Sequence, residues 1–187
     1  YPAGEENRPV SSTLSNPEEK VDLKKVSLIE IGEPITKEEG KPLYYRRVMY
    51  EGKPLGSLMI KGSKEIKVGK DAIKDVIEIV SLRIDDEDYR RNGIATEVLK
   101  RLREEYSNEE VTLKVRASMD EVAHIFWFKM LRRGLVDEVK FNLRLLIRAL
   151  ETGKIKEEPV VYQKIKALAE KEIIHTLTQE ELKDNPE

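Results

Sequence analysis

The chain of 187 residues has no cysteine. That absence excludes a disulfide framework, a thiolate nucleophile and any zinc or iron–sulfur site built on Cys ligands, and it fits a cytoplasmic protein. Histidine is almost as scarce: His124 and His175 are the two present, too few for most metal sites, so no metal is expected. No apolar run approaches the roughly 18 residues needed to span a bilayer, and "YPAGEENRPV" lacks the basic start and apolar segment of a signal peptide. A soluble protein away from membranes is therefore expected. Neither sign of charge dominates, with 34 Lys and Arg against 36 Asp and Glu and a formal net charge of −2, which argues against a nucleic-acid coat. What the chain does have is 39% hydrophobic and 37% charged residues, enough for one domain with a real core plus extensions. It opens on Tyr1 rather than on methionine, which points to a processed form or to part of something longer.

Residues 1–22 are rich in Pro, Ser, Asn and Glu without an apolar period, the composition of a tail that cannot offset its ordering entropy. From there "KVSLIEIG" alternates as a strand, and "LYYRRVMYEGKPLGSLMIKG" predicts two strands joined at Glu51-Gly52-Lys53. Residues 75–84, "DVIEIVSLRI", are β-branched on both faces, as in a central covered strand. From Gly93 onward Ile94, Val98, Leu99, Leu102 and Tyr106 form one helical stripe. "VTLKV" (111–115) is a further strand, and 118–134 is a helix apolar nearly all round, stopped by Gly134. The order strand, helix, strand, helix implies parallel pairing through a crossover. Beyond it Val139, Leu143, Leu146, Ile147 and Leu150 give one more helical stripe, and Val161, Ile165, Leu168, Ala169 and Ile173 another. "TQEE" (178–181) matches a capping box before a short last helix.

The most informative stretch is "YRRNGIATEVLKRL", where a strand ends and an amphipathic helix begins among two arginines and a glycine. A helix starting there aims unpaired N–H groups and the positive end of its dipole at the turn, which makes an anion site. The residues Arg90-Arg91-Asn92-Gly93-Ile94-Ala95 resemble the signature of the GNAT superfamily of N-acetyltransferases: Gln or Arg, two variable residues, Gly, one variable residue, then Gly or Ala. The resemblance covers roughly residues 23–136 and is strongest at 76–102. It implies an α/β (α+β) fold with a mixed, strongly twisted sheet and helices on both faces. The division it suggests is a tail at 1–22, a GNAT-like acyl-CoA-binding domain at 23–136 and a helical extension at 137–187 in place of the usual last strands. It further implies that main-chain N–H groups of Arg91 to Thr96 wrap the pyrophosphate of acetyl-CoA, with Arg90, Asn92, Gly93, Ile94 and Ala95 completing the loop. By position, Leu82, Arg83 and Ile84 then hold the pantetheine arm and supply an amide to the acetyl carbonyl. The loop 85–88 is one residue longer than the commonest form. The alternative is that Arg90 and Arg91 pair with Asp85, Asp86, Glu87 or Asp88 at a solvated turn.

Amine acetylation needs a base for the ammonium proton and usually an acid for the departing thiolate. Glu78 is the candidate base: in a regular strand it shares a face with Val76, Val80, Leu82 and Ile84, and "EIV" looks like the histone-acetyltransferase branch of the family. Its other reading is an ion pair with Arg46 or Arg47. The tyrosine that serves many members as acid is missing, since the family spacing falls on Trp127 or Met130; Ser118 or His124 is the substitute. His124, Phe126, Trp127 and Phe128 read first as core. Only "EPITKEEGKP" lies between the first two strands, too short for the helix pair that usually walls the acceptor cleft. An open groove of that kind suits a polypeptide acceptor. Residues 129–148 carry Lys129, Arg132, Arg133, Lys140, Arg144 and Arg148 against Asp137 and Glu138, either a patch for an acidic partner or the solvated face of a helix. The expected function is transfer of an acetyl group from acetyl-CoA to an amine, a small molecule or a polypeptide lysine or N-terminus. The alternative is a catalytically silent module that binds acyl-CoA or a protein. The C-terminal helices either fold back on the domain or form a homodimer contact.

Overall fold

The computed structural model describes residues 21–30, 35–38, 41–67, 72–106 and 111–183. Of the expected tail, residues 1–20 lie outside the described residues. Eight strands form one mixed sheet: β1 (Val26–Glu30), β2 (Ile35–Glu38), β3 (Lys41–Tyr50), β4 (Lys53–Lys67), β5 (Ala72–Ile84), β6 (Val111–Arg116), β7 (Glu138–Asn142) and β8 (Ile174–Thr178). Their order is β1-β3-β4-β5-β6-β7-β8, with β2 paired to β3 off that path. The β3–β4 hairpin turns where expected, because Glu51 and Gly52 both take positive φ (48° and 80°), the backbone that a tight two-residue turn needs.

β5–β6 and β6–β7 are parallel pairs, so each needs a crossover. The crossovers are the helices α1 (Ile94–Glu105) and α2 (Glu121–Arg132). α1 buries Ile94, Val98, Leu99 and Leu102, the predicted stripe. α2 buries His124, Trp127, Phe128, Met130 and Leu131 and stops at Gly134, whose φ of 78° ends the helix. Three more helices follow: α3 (Leu143–Glu151), α4 (Pro159–Lys171) and α5 (Gln179–Leu182). Thr178 and Glu181 make the reciprocal capping box that "TQEE" predicts. No described helix is long and apolar enough to cross a membrane.

The mixed sheet is as expected; two details of the architecture differ. The segment 137–187 contains β7 and β8 as well as helices, so it extends the sheet rather than replacing its last strands. Val139 and Phe141 are strand residues, and the helical stripe begins only at Leu143, after Asn142 has capped α3 by accepting from the N–H groups of Arg144 and Leu145. α3 then packs on α2 and β7, and α4 on α3, so these helices fold back on the domain.

The second difference concerns the layers. Buried Arg46 lies opposite Leu58 and forms a 2.6 Å ion pair with Glu105 of α1. Phe141, on the face shared by Val139, stacks against His124 and Phe128 of α2. α3 and α5 pack on α2 in turn. These helices therefore occupy one face, with Leu58, Ile60, Ile77, Ile79, Leu113, Val115, Val139 and Leu177 beneath them in the core. On the other face Tyr45, Arg47, Glu78, Arg116 and Lys140 are exposed, and among the described residues no helix covers it. A core between one sheet face and one helical layer leaves much of the other face to carry charge, although Val76 and Thr112 on that face are buried as well.

At the far edge, His175 on β8 lies between two carboxylates: Nδ1 meets Glu172, and Nε2 is 2.9 Å from Glu181 Oε2. Burial disfavours the charged ring, but the hydrogen bonds to Glu172 and Glu181 outweigh it, so the pKa is raised above 6.5. The sign follows from linkage: a raised folded value stabilises the protein fully below pH of about 6.5 and loses that contribution as pH rises through the folded pKa. Urea midpoints measured from pH 5.5 upward should accordingly fall as His175 deprotonates. In His175→Gln that part of the slope should vanish; an unchanged slope would assign it to other groups.

Candidate active site

A change of partner at one point in β5 creates the cleft. Pairing with β6 ends at Ile79↔Val115, whereas pairing with β4 continues to Gly56↔Ile84. Between Ile60↔Ile79 and Met59↔Ser81, β5 has one residue more than β4, so Val80 is a bulge. Bulges add twist and bend the strand that carries them, and beyond this one β5 leaves β6. β6 instead continues beside β7, where the Ala117 N–H donates to the Lys140 carbonyl at 3.0 Å. The β6-side edge of β5 from Val80 to Ile84 is thus free of strand partners.

A cavity of about 470 Å³ fills the gap, lined by β5 from Ile79 to Ile84, by Val115, Arg116 and Ser118, and by Ala123, Phe126 and Trp127 of α2. A second, of about 410 Å³, lies beside it against Tyr89, Arg90, Arg91, Gly93, Ile94, Ala95 and Thr96. Ile84, Ala95 and Phe126 line both, so the two form one groove.

The second cavity ends on the start of α1. Gly93 is the N-cap, at φ 81°, and no side chain caps the helix. Because the first intrahelical bond runs from Glu97 N to Gly93 O, the N–H groups of Ile94, Ala95 and Thr96 have no acceptor within the helix. Arg91 precedes the cap at φ 64°, a conformation few non-glycine residues adopt. The two arginines have different jobs. Arg90 folds back on its own loop, donating from Nε to the Ile84 carbonyl at 2.9 Å, with Glu87 at 3.8 Å. The solvated-turn reading therefore describes Arg90. Arg91 lines the cavity, is exposed and has no ion-pair partner among the described residues. Asn92 braces the turn through Nδ2 to the carbonyls of Asp88 and Arg90.

Leu82, Arg83 and Ile84 all line the larger cavity, as does Ser118. Arg83 also pairs with Asp85 at 3.2 Å. Glu78 is placed differently from expectation. The Val80 bulge reverses the alternation of β5, so Leu82 and Ile84 lie opposite Leu58 and Gly56 on the helix-covered face while Glu78 stays on the open one. Its carboxylate is exposed, and it stands in register with Lys61 and Lys114 rather than among apolar groups or beside Arg46 or Arg47. It does not line the cleft but directly precedes the first residue that does, Ile79.

His124 is fully buried, with its Nδ1 3.0 Å from the Asp120 carbonyl and its Nε2 accepting from the Asn142 N–H at 2.9 Å. These partners require hydrogen on Nδ1 and a lone pair on Nε2, so both nitrogens are committed: Nδ1 to the start of α2 and Nε2 to holding α2 against the β7–α3 junction. It is a core residue and not the missing acid. Sequence reading also passed over Arg116 and Asp120, both of which line the cleft; Asp120 is legible as the α2 cap, its Oδ1 accepting from Ala123 N at 2.8 Å. Among the described residues no group of three or more His, Cys, Asp or Glu is placed to hold a metal ion.

Residues 12–130 match the model of the acetyltransferase (GNAT) family. No curated protein matches the sequence. Among solved structures, an aminoglycoside acetyltransferase from an uncultured soil metagenomic sample is similar at 19% identity and TM-score 0.38, covering 50% of this chain and 58% of that one. An acetyltransferase from Vibrio fischeri is similar at 19% identity and TM-score 0.33, covering 39% and 59%. A ribosomal-protein-alanine N-acetyltransferase from Brucella melitensis biovar Abortus is similar at 14% identity and TM-score 0.34, covering 50% and 65%. The chain thus spans less than two thirds of each of these structures, and at such TM-scores the family membership rests on the family match alone.

The placement of His124 makes a stability prediction. His124→Leu keeps the volume but takes the acceptor away from the Asn142 N–H, while the Asp120 carbonyl keeps the main-chain N–H of residue 124, and should destabilise the fold by about 1–3 kcal/mol. Urea denaturation measures this; a loss of less than about 1 kcal/mol would mean that the ring bonds contribute little.

Proposed function

Because the chain belongs to the acetyltransferase (GNAT) family, we propose that it transfers an acetyl group from acetyl-CoA to an amine. One observation carries this reading: the unpaired edge of β5 and the uncapped start of α1 open into the same groove, joined through Ile84, Ala95 and Phe126. The residues fit the donor. Free N–H groups at Ile94, Ala95 and Thr96, with Arg91 beside them, suit a pyrophosphate. An apolar slot walled by Phe126 and Trp127, with main-chain groups along the opposite strand, suits a pantetheine arm.

When bound, acetyl-CoA supplies an acyl thioester open to attack by an amine. The chain's own residues then do four things. The α1 N-terminus fixes the phosphates, and Gly93 provides the left-handed backbone that this turn requires. The strand edge at Leu82 to Ile84 aligns the arm and offers an N–H to the carbonyl oxygen as charge develops there. Glu78, at the open-face end of the cleft, takes the proton from the amine, directly or through water. Ser118, an exposed hydroxyl in the cavity lining, returns a proton to the departing thiolate. A second reading, acyl-CoA binding without turnover, draws on the absence of any tyrosine from the lining of the larger cavity.

Isothermal titration of acetyl-CoA, followed by an assay of thiol release over a panel of amines, separates these readings. Micromolar binding that is lost in Gly93→Glu, with turnover reduced by about 10²–10⁴ in Glu78→Gln at nearly unchanged CoA affinity, is the expected result. Binding without turnover on any amine supports the silent module. Full turnover in Glu78→Gln removes Glu78 from the mechanism, and no binding at millimolar concentration removes the CoA site.

A further inference from the structure

The open face of the sheet carries charge in ordered rows. One row crosses four strands as Lys61, Glu78, Lys114 and Glu138, each in register with the next and alternating in sign. Two residues further along, the row reads Arg116 opposite Lys140, with Thr176 next to Lys140 on β8. Like charges directly opposite one another destabilise a sheet. Neither Arg116 nor Lys140 has an ion-pair partner among the described residues, and both are exposed. Two acids close in sequence are otherwise engaged: Glu138 is in register with Lys114, and Asp120 caps α2 through Oδ1. Across the cleft, Arg83 is compensated by Asp85 at 3.2 Å.

Of this like-charged pair Arg116 lines the cleft, and Lys140 stands beside it on β7. Arg116 lies one residue beyond the last β5–β6 pair and lines the larger cavity but not the one that ends on the start of α1. The basic residues of 129–148 therefore do not form one helix face, because Lys140 sits on β7 and joins Arg116.

We propose that Arg116 and Lys140 form an anion-recognition point on the acceptor side of the cleft, so that the amine acylated here carries a carboxylate or a phosphate. The proposal rests on the acetyl-transfer reading above. A guanidinium presents a planar fork that grips a carboxylate or phosphate through two hydrogen bonds, and the adjacent ammonium adds a second cation at no geometric demand.

The test uses product-like probes on the full chain. Acetyl-CoA is titrated first, followed by desacetyl CoA to saturation; then N-acetylglycine, N-acetyl-O-phosphoethanolamine and neutral N-methylacetamide are titrated in turn. At least one anionic probe should bind about tenfold or more tighter than the neutral one, and the tighter of the two anions names the acceptor's group. In Arg116→Gln/Lys140→Gln that preference should fall to near unity, with CoA affinity within about twofold of the parent. The control Lys100→Gln/Arg133→Gln removes the same net charge from exposed positions, one on α1 and one in the turn after α2, and should leave the preference intact. The double variant at the cleft should melt no lower than the parent, since it loses a repulsion. Equal binding of all probes, no binding of any to the CoA-loaded protein, or a preference that survives in the cleft variant would overturn the proposal. Failure of CoA itself to bind would show in the first titration; it would overturn the acetyl-transfer reading and take this proposal with it.

Discussion

The structure turns on the extra residue at Val80. Up to Ile79, β5 is an ordinary central strand, hydrogen-bonded to β4 on one side and β6 on the other. A buried backbone group without a partner is costly, so strands seldom part in the middle of a sheet. Here β4 keeps its hold through Gly56↔Ile84, and Gly56 has no side chain for a reason: a Cβ there would lie 1.9 Å from the Arg83 carbonyl oxygen. β6 is held on its other side by β7. The two halves of the sheet are thereby pulled apart along a line, and the helices that cross over between them begin beside the opening. A free strand edge, a free helix N-terminus and an aromatic wall thus come together as consequences of one register shift.

The same shift decides what the sequence could and could not reveal. The β-branched run before Ile84, the stripe from Ile94 to Leu102, Gly93 between them and the capping box at Thr178 each carry a local signal that no tertiary contact reverses, and each element stands where expected. The face of Glu78 is not legible in the sequence for a definite reason. Counting by twos along a regular strand groups it with Leu82 and Ile84, and a bulge between them leaves no mark in composition. β7 was hidden differently: Val139 continues the i, i+3, i+4 spacing of Leu143, Leu146 and Ile147, so the helical period runs on into a strand. The residue that marks the boundary is Asn142, legible as a cap only once the helix start is known.

Charge distribution in this chain follows from its one-sided layering. Helix α1 is tied to the sheet by the ion pair of Arg46 with Glu105, while Arg103 reaches Asp137 at 3.0 Å beyond β6. Both bridges lie partly buried between layers, where loss of one partner leaves the other poorly solvated. The open face is a different setting. There the charged side chains are partly to fully exposed, so alternation along a row is worth little for stability and a like-charged pair is tolerable. That tolerance makes the open face the place where recognition groups can be set without endangering the fold, and it adjoins the end of the cleft where an acceptor would arrive.

The lack of a tyrosine acid in the larger cavity bears less on acetyl transfer than the position of the base does. A thiol ionises near pH of about 8.5, within about two units of neutrality, whereas a lysine-like amine holds its proton until about 10.4. Protonating a thiolate thus asks little of the protein, and water reaching the open face, or the hydroxyl of Ser118, is an adequate source. Removing a proton from an ammonium is the more demanding step, and it requires a carboxylate on the side from which the amine enters. In the proposed reaction Glu78 would fill that role: it is exposed on the open face, one residue before the cleft wall begins. Had the strand been regular, Glu78 would have shared a face with Leu82 and Ile84, which the bulge places beneath the helical layer. By reversing the alternation, the bulge that opens the groove also sets the Glu78 carboxylate on the open face of the sheet, where the proposed reaction needs its base.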